Sequence, residues 1–105
     1  MVGVLEKPEI STHEFTLLTN HTHVLVAIGR KPDARMRDIA AAVGITERAV
    51  QRIVDDLSEC GYIVTVKDGR RNRYEIQSEC QLRLPLEMHR NVGELIRFVL
   101  PHFGN

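Results

Sequence analysis

A chain of 105 residues and 12.0 kDa has the commonest size of a single domain, and 43% hydrophobic with 27% charged residues is an ordinary globular composition. Nothing approaches 18 consecutive apolar residues, which excludes a membrane-spanning helix, and the expectation is no membrane partner. Formal net charge is zero, yet residues 30–73 hold ten basic groups against seven acidic ones, and eleven of the fourteen basic residues in the chain are arginine.

The start, Met1 to Ile10, turns polar at Glu6, Lys7 and Pro8 after a short apolar run, which does not fit a signal peptide. Cys60 and Cys80 cannot make a disulfide framework and read as reduced thiols, so the expected location is cytoplasmic. Residues 1–14 lack periodicity, and 1–18 is expected to form an N-terminal arm. Thr19 or Asn20 then suits a helix N-cap, with Val24, Leu25 and Ile28 at helical spacing before Gly29 to Pro32. This predicts a helix over about 20–30. Pro32-Asp33 is a turn signal, and Ala34-Arg35-Met36 is read as a very short strand.

A second helix is predicted from about Arg37 to Val43, with Ile39, Ala40 and Val43 on one face and Gly44 where a helix ends in left-handed geometry. Thr46 caps a third, over about 46–60, whose Ala49, Val50, Ile53, Val54, Leu57 and Cys60 form an apolar stripe. Glu47, Arg48, Gln51, Arg52, Asp55 and Glu59 are left facing outward, and Gly61 ends the helix. The period then falls to 2: Tyr62, Val64 and Val66 alternate with Ile63, Thr65 and Lys67. Asp68-Gly69 signals a hairpin turn, and Tyr74 and Ile76 alternate with Arg73 and Glu75 on the return strand. After Pro85 a last amphipathic helix is predicted to carry Met88, Val92, Leu95, Ile96 and Val99 on one side.

This order, helix-strand-helix-helix-strand-strand plus a C-terminal helix, is that of a winged helix-turn-helix, a mainly α fold with a small β-hairpin. The run Asp38 to Ile53 carries the details: Ala40 small at the helix crossing, Gly44 in the turn, Ile45 closing it, Thr46 capping, Val50 buried. Ala49-Val50-Gln51-Arg52, then Leu57 to Ile63, then Lys67 to Arg73 follow at the distances of a helix, strand entry and basic wing. The stretch Ile45 to Arg73 resembles small bacterial winged-helix regulators of the MarR and ArsR type. The resemblance spans roughly residues 20–77, and it implies sequence-specific binding of double-stranded DNA by a transcriptional regulator acting as a homodimer.

Groove geometry supports that implication. A helix fits the major groove, and its first turns aim side chains at base edges, where arginine suits guanine and glutamine suits adenine. The expected contacts are Arg37, Thr46, Glu47, Arg48, Gln51 and Arg52 around the third helix. Lys67, Arg70, Arg71, Asn72 and Arg73 are expected on backbone or minor groove from the wing. The alternatives are a solvated helix face laced by weak i,i+4 pairs and a charged edge that deters aggregation. Met88, Val92, Leu95, Ile96 and Val99 are expected to form the dimer interface. The chain thus divides into an arm (1–18), a DNA-binding domain (19–77) and a C-terminal dimerisation helix (78–105).

Other chemistry has less behind it. His13, His21, His23, Cys60, Cys80, His89 and His102 show no close ligand spacing, so no metal and no cofactor are expected. No nucleophile motif or phosphate loop is present, and the chain is read as not an enzyme. The rival functions are a winged-helix module that binds protein and an ArsR-type metal- or ligand-responsive sensor.

Overall fold

The computed structural model describes residues 16–104; the greater part of the expected arm, with His13, lies outside them. The elements are α1 (Asn20–Arg30), α2 (Met36–Val43), α3 (Glu47–Glu59), β1 (Ile63–Asp68), β2 (Arg71–Ile76) and α4 (Val92–Val99). Four helices and one antiparallel hairpin give the winged-helix architecture expected from the sequence.

Side-chain caps fix the starts of α1, α3 and α4. Thr19 accepts from the Thr22 amide to open α1, and Thr46 accepts from the Ala49 amide at 3.0 Å to open α3. Between α2 and α3, Gly44 takes a φ of 87° and donates its amide to the Ala40 carbonyl at 2.8 Å. Left-handed geometry of this kind is close to free for glycine and costly for residues with a Cβ. Buried side chains from every element meet in one core: Val24, Leu25 and Ile28 of α1, Ile39 of α2, Val50, Ile53, Val54 and Leu57 of α3, with Ile63 and Tyr74 of the hairpin. Val92 and Ile96 of α4 belong to the same core.

Four expectations need correction. Ala34-Arg35-Met36 is not a strand, because Met36 already starts α2 and two backbone groups of the segment are committed to turns. The Ala34 amide donates to Lys31, and the Arg35 carbonyl accepts from Asp38 and Ile39 as α2 begins. The sheet is reached just ahead of this segment, where the Pro32 carbonyl accepts from the Tyr74 amide at 3.0 Å. The hairpin turns one residue later than its strongest sequence signal: Asp68 pairs with Arg71, so Gly69 and Arg70 form the tip. Gly69, not Asp68, takes positive φ, as the first position of a two-residue loop can require.

Cys60 is exposed instead of core, since α3 ends at Glu59 and Cys60 caps it as the chain leaves the apolar face. Finally, the last helix begins at Val92, not soon after Pro85. Asn91 and Glu94 form a reciprocal capping box there, each side chain bonding the other's backbone amide at 2.9–3.0 Å. Residues 82–90 form a loop whose base is closed by the Leu82 amide on the Arg90 carbonyl and by a bridge between Gln81 and Asn91. Met88 therefore lies on that loop and not on the helical stripe.

Candidate nucleic-acid interface

The face of α3 opposite the core presents Glu47, Arg48, Gln51, Arg52, Asp55 and Glu59, all exposed. Thr46 spends its hydroxyl on the Ala49 amide, which leaves earlier amides of the first turn pointing outward as anion donors. Gln51 donates its Nε2 to Asp55 Oδ1 at 3.0 Å, a bond it would have to exchange for a base edge. Arg48 and Arg52 are different. The ion pairs found among the described residues are His21–Asp56, Arg73–Glu75 and Arg90–Glu94, so neither arginine is neutralised by a carboxylate there.

The wing divides its basic residues into three situations. Lys67 and Arg70 are exposed at or beside the tip and have no carboxylate partner among the described residues. Arg71 donates its Nη2 to the Asp33 backbone carbonyl at 2.7 Å, a short charge-assisted bond. Arg73 is half-buried, pairs with Glu75 at 3.2 Å, and keeps its Nε buried without a partner. Asn72 is exposed opposite Lys67.

Helix and wing share one concavity. A cleft of about 310 Å³ is lined by Asp33 and Arg35 ahead of α2, by Met36 at its start, by Gln51 of α3, and by Arg71 and Asn72 of β2. Arg35 caps α2 without a side-chain bond, and Arg37 stands exposed on its first turn. Sequence reasoning placed these residues on separate elements; the folded chain gathers four of them, Gln51, Arg71, Asn72 and Arg35, along one rim.

The expected dimer face is split by the fold. Val92 and Ile96 are buried inside the chain, where Ile96 packs over Gly29 of α1. They cannot also present an open surface. Leu95 and Val99 are half-buried, and the exposed apolar side chains of this region are Leu84, Leu86 and Met88 on the 82–90 loop and Phe98 on α4. The alternation of Leu84, Leu86 and Met88 around Pro85 was the available signal for an apolar loop. A contact the sequence gave no sign of joins α1 to α3: His21 Nε2 lies 2.9 Å from Asp56 Oδ2. Among the described residues, no group of three or more His, Cys, Asp or Glu side chains is placed to hold a metal ion.

The model of the MarR family matches residues 15–73, which runs from just before α1 into β2. No curated protein matches. Among solved structures, the chain is similar in fold to the PcaV transcriptional regulator from Streptomyces coelicolor, solved in complex with its natural ligand. Identity is 22% and the TM-score 0.53, over 80% of this chain and 61% of that one. The chain therefore spans less than two thirds of that regulator's length.

Proposed function

The chain belongs to the MarR family, and from that premise we propose that it is a transcriptional regulator that binds double-stranded DNA, with α3 in a major groove and the hairpin wing on the adjacent backbone or minor groove. The observation that carries the reading is the state of Arg48 and Arg52: exposed on a capped helix and unpaired among the described residues. Arg48, Arg52 and, once released from Asp55, Gln51 are the candidate base readers. Glu47 and Thr46 line the entry of the helix, with Arg37, Lys67, Arg70 and Asn72 contributing charge and hydrogen bonds to phosphates.

The assembly proposed is a homodimer. Its contacts are not the full stripe expected from the sequence but the residues left exposed, Phe98 with Leu84, Leu86 and Met88, together with the open edges of Leu95 and Val99. Two copies would present two α3 helices about one turn of DNA, roughly 34 Å, apart.

The test is equilibrium binding to duplex and single-stranded DNA of the same sequence across a salt series. The expected result is duplex preference, with log K falling linearly with log salt. Loss of that preference in an Arg48→Ala/Arg52→Ala variant that keeps its thermal transition would place the contact on α3. Failure of the wild type to bind duplex even at low salt would reject this reading in favour of a protein-binding winged helix.

A further inference from the structure

We propose that Arg71 is a positioning residue: it fixes the angle of the wing by bonding the loop ahead of α2, and it does not itself contact DNA. The inference rests on the DNA-binding reading for its consequence, but not for its structural premise. A two-stranded hairpin is marginally stable alone in water, so a wing holds its direction only through what it is attached to. Here the base of the hairpin is packed, with Ile63 and Tyr74 buried, whereas residues 67–72 are exposed.

Two bonds tie β2 to consecutive carbonyls of the loop between α1 and α2. The Tyr74 amide donates to Pro32 at 3.0 Å, and the Arg71 guanidinium donates to Asp33 at 2.7 Å. Three residues of strand separate these anchors, about 10 Å. With the Tyr74 bond alone the tip could pivot about the packed base; the second bond removes that freedom. The loop in turn leads through buried Ala34 to Arg35, the cap of α2, so the wing is held in register with the helix-turn-helix. Arg71 sits beside Arg70 in sequence yet differs in state. Arg70 is at the tip and has no carboxylate partner among the described residues, while Arg71 already spends its charge on a short bond to backbone.

Two measurements on the full chain test this. The first needs no DNA: amide hydrogen exchange of the hairpin. Arg71→Ala should speed exchange across residues 67–72 about tenfold or more while α3 is unchanged, Arg71→Lys should restore part of the protection, and Arg70→Ala should change neither. The second is a double-mutant cycle on duplex binding. A positioning residue acts through the contacts it aims, Arg70 foremost, so Arg71→Ala should weaken binding by itself and cost less in an Arg70→Ala background than in the wild type. Unchanged hairpin exchange in Arg71→Ala would overturn the proposal. So would additive losses, with the salt slope falling by a further unit per protomer in the double variant. If the wild type binds no DNA, the exchange result still decides the tether, and the DNA-binding reading fails separately.

Discussion

Replacing Gly93 by alanine pits helix propensity against packing, and the structure decides the sign. Gly93 is the second residue of α4, where alanine is intrinsically favoured by up to about 1 kcal/mol. A Cβ built there would lie 2.7 Å from the Ser78 Cβ and 3.0 Å from the Ser78 carbonyl oxygen. Carbon atoms in comfortable contact stand about 3.5–4.0 Å apart, so the start of α4 or the 78–80 segment must move by about 1 Å. The atoms in the way are backbone and a Cβ, which cannot swing aside. Movement would also stretch two bonds that clamp the helix, Gly93 amide to Ser78 at 3.0 Å and Val92 amide to Cys80 at 2.8 Å. Overpacking of this kind costs about 1–3 kcal/mol, so the net expectation is a loss of about 1–2 kcal/mol. At about 4–8 °C per kcal/mol for a domain of this size, the melting temperature should fall by roughly 4–16 °C. Gly29→Ala is the internal control. Its Cβ would stand 3.1 Å from the Ile96 Cγ2, a side-chain atom that needs to give only a few tenths of an ångström, so that variant should stay within about 1 kcal/mol of wild type. Thermal and urea melts followed by circular dichroism check both. A Gly93→Ala protein as stable as wild type, or less damaged than Gly29→Ala, would refute the clamp.

Arg48→Ala should cost about 1–3 kcal/mol on the preferred DNA and relax one base position, whereas Arg70→Ala should weaken all duplexes alike and lower the salt slope by about one unit per contact; competition binding separates the two. The Glu94 carboxyl is held below the usual carboxylate range, first by the Asn91 amide and then by the Arg90 guanidinium. A lowered folded-state value means the contribution is present above the unfolded pKa and lost as pH falls through the folded one. Glu94→Gln should therefore lower stability at neutral pH, with the gap to wild type closing as pH drops below about 4 in a series of melts. The wild type should scatter light as a dimer at micromolar concentration and Phe98→Glu as a monomer, with no loss of intrinsic fold stability, because Phe98 is 86% exposed and outside the core.

The helix-turn-helix was legible because three local devices agree along it: the Thr46 cap, the Gly44 turn and the stripe from Val50 to Leu57. The hairpin was legible as a hairpin but not in its phase. Tyr62, Val64 and Val66 and the alternate set containing Ile63 are both apolar enough to face inward, and the sheet buries Ile63 while Val64 stands 47% exposed. What settles the phase is a distant event, the seating of Tyr74 opposite Thr65 and against the core. The stripe near the C-terminus was read correctly as amphipathic, yet a stripe does not say what covers it; Ile96 packs over Gly29 of α1, and Val92 is buried in the same core. The roles of the wing arginines were beyond reach for a different reason. Arg71 finds a backbone carbonyl 38 residues earlier, and an acceptor every residue possesses leaves no mark in a sequence.

Selection of bound sequences from a random duplex pool decides whether α3 reads DNA. Enrichment of a two-half-site palindrome with centres about one helical turn apart is expected. Each half-site should carry a position read by Arg48 or Arg52 that loses its preference when that arginine is replaced by alanine. A pool that shows no enrichment over its starting composition at low salt, or a consensus indifferent to both arginines, would contradict that reading by α3.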